Sequence, residues 1–395
     1  MSHVLLLAVN DFPPILGGEA TLYHALARHL GPEEAVVLAP QGPGAAEVDA
    51  ALPVEVVRRW LPDHGGPIHR MTRGLLGGVH LAGLLLRRRF DYLVCGQLLS
   101  IGAPMSVLAR LWRLPYAVFV HGADLSDYSH SAPWRSLARF IVSGAHTVLV
   151  NSRFTATLVD RILPGAARRI IVLPMGVDPA PRVDPEQVHA LRSRYGLRQG
   201  PVLLSVSRLV PMKGHDVVID ALQHLLGRFP DLLYLVVGQG PERPALEERA
   251  RARGVAPHVR FAGAVPAEEL AAHYHLATLF VQLSRATDEY DGLEGFGLTF
   301  LEAASHGIVS IGGRSGGVPE AIAEGESGLL VPPEDAAAFT AMAARLLEDR
   351  GERRRLSEGA RRWAAAHSWE ASARCLRSLT NGVPEAPASG ARSLS

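Results

Sequence analysis

The chain has 395 residues, 48% of them hydrophobic, which exceeds one ordinary core and suits two domains of similar size. Lys+Arg 40 against Asp+Glu 39 leaves a formal charge of +1, which excludes the basic footprint of a nucleic-acid binder, so any bound anion must be met locally. Two cysteines, Cys95 and Cys375, lie far apart in the sequence, which argues against a disulfide framework and for a reducing, cytoplasmic compartment.

The opening stretch MSHVLLLAVNDFPP has no basic leader and its apolar run stops at Val9, so it reads as a buried strand rather than a signal peptide. HVLLLAV is followed in the first half by EAVVLAP, FDYLVCG, YAVFVHG, HTVLVNS and RIIVLPMG, with helix-length amphipathic segments between them. Continuous apolar runs in that rhythm are parallel strands covered on both faces. After the first strand, NDFPPILGGEAT sets Gly17 and Gly18 ahead of the helical ATLYHALARHL. A glycine pair there is a turn or a place of close ligand approach.

Further on, HRMTRGLLGGVHLAGLLLRRRF places Arg70 and Arg73 before an apolar stretch and Arg87, Arg88 and Arg89 after it. The stretch is too short to span a bilayer. Two readings stay open: a core-facing helix with solvated ends, or peripheral contact with an anionic lipid surface at the inner face of the membrane. YAVFVHGAD leaves His121 and Asp124 at the end of a strand, where the histidine is either a satisfied core residue or a contact to a substrate hydroxyl.

Prolines 179, 181 and 185 in MGVDPAPRVDPEQ interrupt regular structure, which places the join between domains there. Residues 1–178 are read as the first domain and 179–382 as the second, with the last helix free to pack back on the first and 383–395 as a disordered tail. The second half repeats the rhythm in PVLLSVS, LLYLVVGQG, HVRFAG, TLFVQLS, GIVSIGG and GLLVP. The fold class is therefore α/β, two Rossmann-like domains whose parallel sheets face across a central cleft. Ligands of such sheets bind beyond the carboxyl ends of the strands.

Three segments of the second half lie at such ends. SVSRLVPMKGHD offers Arg208 and Lys213, a fork and a point charge fit for a diphosphate, although surface cations also simply face water. EGFGLTFLEA runs from Glu294 through Gly295, Phe296 and Gly297 into a helix from Leu298 that contains Glu302 and is stopped by Gly307. Its bare backbone and free first-turn N–H groups favour a phosphate, and the two carboxylates suit sugar hydroxyls. GGRSGGVPEAI supplies Gly312, Gly313, Gly316 and Gly317, which permit approach to a sugar or to the neighbouring loop.

Together these segments resemble the retaining GT-B glycosyltransferases of family 4, whose signature is a glutamate pair with seven residues between, here Glu294 and Glu302. NDFPPILGGEA, VFVHGAD, LPMGVD, SRLVPMKGHD, VVGQGPE, VRFAGAV, EGFGLTFLEA and RSGGVPEAI occur in the family's order over nearly the whole chain, with NDFPP and LEGFG closest to the phosphatidylinositol mannosyltransferase branch. The resemblance implies transfer of a hexose from a nucleotide diphosphate sugar, GDP or UDP, to a lipid-linked, glycan or small-molecule hydroxyl. It implies that Arg208 and Lys213 hold the diphosphate and that Glu302 binds the ribose. Glu294 with the backbone of Gly295 to Leu298 would hold the donor sugar and phosphate, Gly17 and Gly18 would close over it, His121 would sit by the reacting sugar and the Val265 backbone would pair with the base. Ser207 departs from the glycine many relatives carry before the arginine.

No Asp-x-Asp motif is present, so no metal and no cofactor are expected, and two cations with a helix N-terminus are left to stabilise the departing diphosphate. The rival readings are a glycoside hydrolase using the two glutamates, an epimerase or phosphorylase on the same scaffold, and a non-catalytic sugar-nucleotide sensor.

Overall fold

The computed structural model describes residues 4–15, 17–61, 67–126, 131–287 and 292–380, with the backbone alone at 67–71 and 126. The tail expected at 383–395 lies outside the described residues. The chain divides into two compact units, Met1–Gly176 with Ser368–Ser395, and Val177–His367.

The first unit holds seven strands: β1 (Leu5–Ala8), β2 (Ala35–Pro40), β3 (Glu55–Arg59), β4 (Tyr92–Cys95), β5 (Tyr116–Val120), β6 (Thr147–Val150) and β7 (Ile170–Val172). They are ordered β3-β2-β1-β4-β5-β6-β7, all pairs parallel. Every residue of β1, β2, β4, β5 and β6 is buried, as helices on both faces of a parallel sheet require. The sequence reading has six of these strands and misses β3, EVVRR. That strand lies at the sheet edge, is half-exposed and carries charge, so it lacks the apolar run that marks the others. Arg58 there ends in a 2.7 Å ion pair with Asp49.

The second unit holds β8 (Val202–Val206), β9 (Leu233–Val237), β10 (Val259–Gly263), β11 (Leu279–Gln282), β12 (Ser310–Gly313) and β13 (Gly328–Val331), ordered β10-β9-β8-β11-β12-β13, again parallel. Its core is built from inward residues such as Leu203, Tyr234, Val281 and Ile311 against helix residues Ile219, Leu222, Phe339 and Leu346. In both sheets the strand order reverses about the earliest strand, between β1 and β4 and between β8 and β11. Connections leave those neighbouring strands in opposite directions, which opens a crevice at their carboxyl ends.

The last helix, Trp369–Thr380, belongs to the first unit although it follows the second in sequence. It packs on helix Gly18–His29, and Arg377 anchors it with a 2.9 Å contact to Glu34 and a bond to the His29 carbonyl. Leu376 is fully buried beneath it. Leu376→Ala should lower the unfolding free energy by about 2–5 kcal/mol, the usual cost of emptying a buried leucine site. A denaturant titration showing no change would contradict this docking of the helix.

Candidate active site

At the carboxyl end of β8 the chain enters the loop Ser207–Lys213. Two cross-bonds pin it, Ser207 N to Val237 O at 3.0 Å and Leu209 N to Gln239 O at 2.9 Å. These distances need Gly238 and Gly240, because a Cβ at either would fall 1.9 Å from the Ser207 carbonyl or 2.2 Å from that of Leu209. Arg208 is thus carried, exposed, on a backbone fixed on both sides. Lys213 closes a short 3-10 turn, and Gly214 after it has φ 71 and lies where a Cβ would be 2.2 Å from the Leu283 carbonyl.

That carbonyl belongs to the segment leaving β11, the strand beside β8. The approach brings Lys213 Nζ to 2.5 Å from Glu294 Oε2. The same oxygen accepts from Gln282 Nε2 at 3.0 Å and Ser284 Oγ at 3.2 Å. Both charged side chains are mostly buried, 14% and 13% exposed, so the pair is shielded from bulk water. Glu294 is seated from a third strand end: Gly317 N donates to its carbonyl at 2.8 Å, and a Cβ on Gly317 would come within 2.0 Å of the Gly295 carbonyl. The Gly316-Gly317 pair therefore serves the neighbouring loop. Gly295, Phe296 and Gly297 are buried, and Gly297, with φ 98, turns the chain into helix Leu298–Ser305.

Glu302, one turn along that helix, is separate from this cluster. Its Oε2 accepts the Tyr274 hydroxyl at 2.7 Å, and the Tyr274 ring stacks on His306 at 4.9 Å. Burial raises the Glu302 carboxyl above its ordinary value, the Tyr274 bond opposes this, and the Asp178 charge adds to the rise. Val265 follows β10 and is half-buried.

Behind the Arg208 loop runs a buried polar chain that the sequence reading did not pick out. Ser207 Oγ lies 3.0 Å from His215 Nε2, His215 Nδ1 lies 2.7 Å from the Tyr234 hydroxyl, and Ser205 Oγ joins Tyr234 to the Val281 carbonyl. Ser207 thus ties the loop to helix His215–Leu226. Gln282 and Ser284 were also missed, although a polar pair ending the apolar run TLFVQLS was the available signal.

In the first unit, helix Gly18–His29 begins at the exposed pair Gly17-Gly18. His121, after β5, is buried, with Nε2 2.6 Å from the Tyr23 hydroxyl and 3.1 Å from the Gly96 carbonyl. The Tyr23 hydroxyl donates to that same carbonyl, so the His121 contact to it places a proton on Nε2. Glu19 Oε2 stands 3.8 Å from the ring and is held by Gln97. The His121 and Gly122 N–H groups both donate to Asp124 Oδ1 at 3.0 Å. Burial pushes the Asp124 carboxyl up to about 6, against the pull of His121 and with the Glu19 charge adding to it.

The residues singled out in the sequence are thus brought together in part: Lys213 with Glu294, and the Gly18 helix with His121.

Two family models match the chain: "Glycosyl transferase 4-like domain" over residues 17–176 and "Glycosyl transferases group 1" over residues 190–363. The GDP-mannose-dependent alpha-(1-6)-phosphatidylinositol monomannoside mannosyltransferase of Mycolicibacterium smegmatis is 33% identical over 97% of this chain and 99% of its own. The D-inositol 3-phosphate glycosyltransferase of Corynebacterium urealyticum is 33% identical over 72% of this chain and 70% of its own. Among solved structures, Anabaena HepE in complex with UDP and glucose superposes with a TM-score of 0.78 at 19% identity, covering 96% of this chain and all of the other.

Burial, with the Lys213 charge adding to it and a bond to the Arg208 backbone opposing, pushes the His215 imidazole down to about 4. A depressed base stabilises the fold fully above its unfolded value of 6.5, and that contribution is lost as pH falls towards 4. Between pH 7 and pH 5 this amounts to about 2 kcal/mol. His215→Gln should reduce the pH dependence of the unfolding free energy by that amount; an unchanged slope would contradict the buried neutral imidazole.

Proposed function

The chain belongs to the glycosyl transferases of group 1, family 4, and we propose that within them it moves mannose from GDP-mannose to a phosphatidylinositol mannoside hydroxyl, with retention and without a metal ion. The donor and acceptor are those named for the Mycolicibacterium smegmatis relative, which aligns with this chain almost end to end. What supports the chemistry is the ion pair of Lys213 with Glu294, which leads into helix Leu298–Ser305, at the carboxyl ends of the neighbouring strands β8 and β11, with Arg208 on the same β8 loop as Lys213.

In this reading the donor diphosphate lies against Arg208 and Lys213. As the bond from the sugar C1 to the phosphate oxygen stretches, negative charge grows on that oxygen. Two fixed cations and the first-turn N–H groups of the helix stabilise it without reorganising. The acceptor hydroxyl attacks C1 from the face the diphosphate is leaving and its proton passes to the departing phosphate oxygen. One C–O bond forms as one breaks, and the stereochemistry is kept. No protein nucleophile takes part.

Glu294 serves two purposes. Its Oε2, fixed by Gln282 and Ser284, holds Lys213 in the crevice before the donor arrives. The carboxylate then also accepts from a donor-sugar hydroxyl, and the backbone from Gly295 to Leu298 lines the phosphate side. Glu302, oriented by Tyr274, accepts from the ribose diol, and the Val265 backbone meets the base. In the first unit, His121 offers its imidazole to a sugar hydroxyl, the ring held in place by Tyr23 and Gly96.

Arg208→Ala and Lys213→Ala should each cut the rate of mannosyl transfer by about 10²–10³, the cost of removing one preorganised partner of a developing oxyanion. The assay supplies GDP-mannose and a phosphatidylinositol mannoside with EDTA present and reads the anomeric configuration of the product. Near-normal transfer in both variants, an inverted product, or activity only after divalent ions are restored would each count against this reading.

A further inference from the structure

Ser207 and His215 stand at the two ends of the segment that carries Arg208 and Lys213. Ser207 leaves β8, and His215 is the first residue of helix His215–Leu226. The 3.0 Å contact between Ser207 Oγ and His215 Nε2 joins those ends, so the segment is a closed loop with both cations on it. Tying the ends of a short loop restricts every residue between them.

The contact is the outer link of a chain that runs in one direction. Ser205 Oγ donates to the Val281 carbonyl, which uses the one proton of that hydroxyl. The Tyr234 hydroxyl, 2.8 Å from Ser205 Oγ, therefore donates to Ser205 and accepts from His215 Nδ1 at 2.7 Å. Burial, with the Lys213 charge adding to it, keeps the ring uncharged at neutral pH, so Nε2 has a lone pair for the Ser207 hydroxyl. His215, Tyr234 and Ser205 are all buried. A satisfied polar network in the interior rigidifies what it joins, and a missing partner at any link costs more than the bond itself contributes.

The far end of the chain lies where the crevice begins. Backbone pairing of β8 with β11 joins Leu203 to Leu279 and Leu204 to Phe280. One residue further, the Ser205 side chain takes the Val281 carbonyl. Val281 precedes Gln282, whose amide holds Glu294 and through it Lys213. Lys213 thus has an anchor in Glu294 besides the loop itself. Arg208 follows Ser207 directly, so a displacement of Ser207 passes to Arg208 first.

We propose that Ser207 and His215 are positioning residues of the donor site: their contact, backed by Tyr234 and Ser205, sets where Arg208 meets a nucleotide diphosphate. This rests on the reading that the donor diphosphate lies against Arg208 and Lys213. The test is a double-mutant cycle on the affinity of the full chain for a nucleotide diphosphate, measured by calorimetry with GDP and with UDP, the tighter of the two being carried through the cycle. Ser207→Ala should weaken binding about tenfold, the share of one hydrogen bond to the site. Ser207→Thr, which keeps the hydroxyl, should bind as the wild type does. In the Arg208→Ala background Ser207→Ala should cost nothing further, and in the Lys213→Ala background it should cost its full amount. Tyr234→Phe breaks the chain on the other side of His215 and should follow the same pattern. A bond that served stability alone would lower the urea midpoint and leave the costs additive with Arg208→Ala.

Additive costs with Arg208→Ala, or undiminished affinity in both Ser207→Ala and Tyr234→Phe while Arg208→Ala weakens binding, overturn the positioning role and leave the diphosphate reading standing. If Arg208→Ala itself leaves the affinity unchanged, or the wild type binds neither nucleotide, the diphosphate reading falls and the positioning role with it.

Discussion

One carboxylate oxygen organises the second unit's crevice. Glu294 Oε2 receives an ammonium, an amide and a hydroxyl from Lys213, Gln282 and Ser284, which arrive from two neighbouring strand ends. An ion pair this enclosed is a poor source of stability, because the cost of dehydrating both charges offsets most of their attraction. It costs the fold something to keep a cation and an anion pre-placed where the sheet order reverses. Under the proposed function, the return is a lysine whose position is fixed before the donor diphosphate binds, so that little reorganisation remains for the transition state.

That oxygen could not be approached from so many sides without missing side chains. Gly214 lets the β8 connection touch the Leu283 carbonyl, Gly313 lets the end of β12 pass where a Cβ would fall 2.5 Å from the Ser284 carbonyl oxygen, and Gly317 lets a third loop lie on Gly295. Each is a backbone-to-backbone approach that a Cβ would block, and an alanine at any of them would shift a loop bearing charge. The glycines around Glu294 thus serve the protein's own packing as much as any ligand.

This explains what the sequence disclosed and what it did not. The parallel sheets were legible because ten of the strands are apolar runs buried on both faces, or nearly so, a pattern few other structures produce. β3 escaped because an edge strand with Glu55, Arg58 and Arg59 reads as surface. Lys213, Glu294 and Glu302 were visible as charges placed after strands or at a helix start. Their partners were not, since Gln282 and Ser284 closing β11, or His215 and Tyr234 behind the Arg208 loop, acquire meaning only once the strand order makes β8 and β11 neighbours. His121 was visible by its place after β5, whereas Tyr23 sits in an amphipathic helix where a buried aromatic is expected as packing. Its hydroxyl, not its ring, is what bonds the imidazole nitrogen.

The claim on which the rest depends is that fixed positive charge at the carboxyl ends of β8 and β11 receives the donor diphosphate. A crystal structure of the full chain with GDP tests it most directly. The account predicts both phosphates within hydrogen-bonding reach of Arg208 and Lys213, with the Glu294 carboxylate still held by Gln282 and Ser284. A diphosphate bound away from both cations would contradict it.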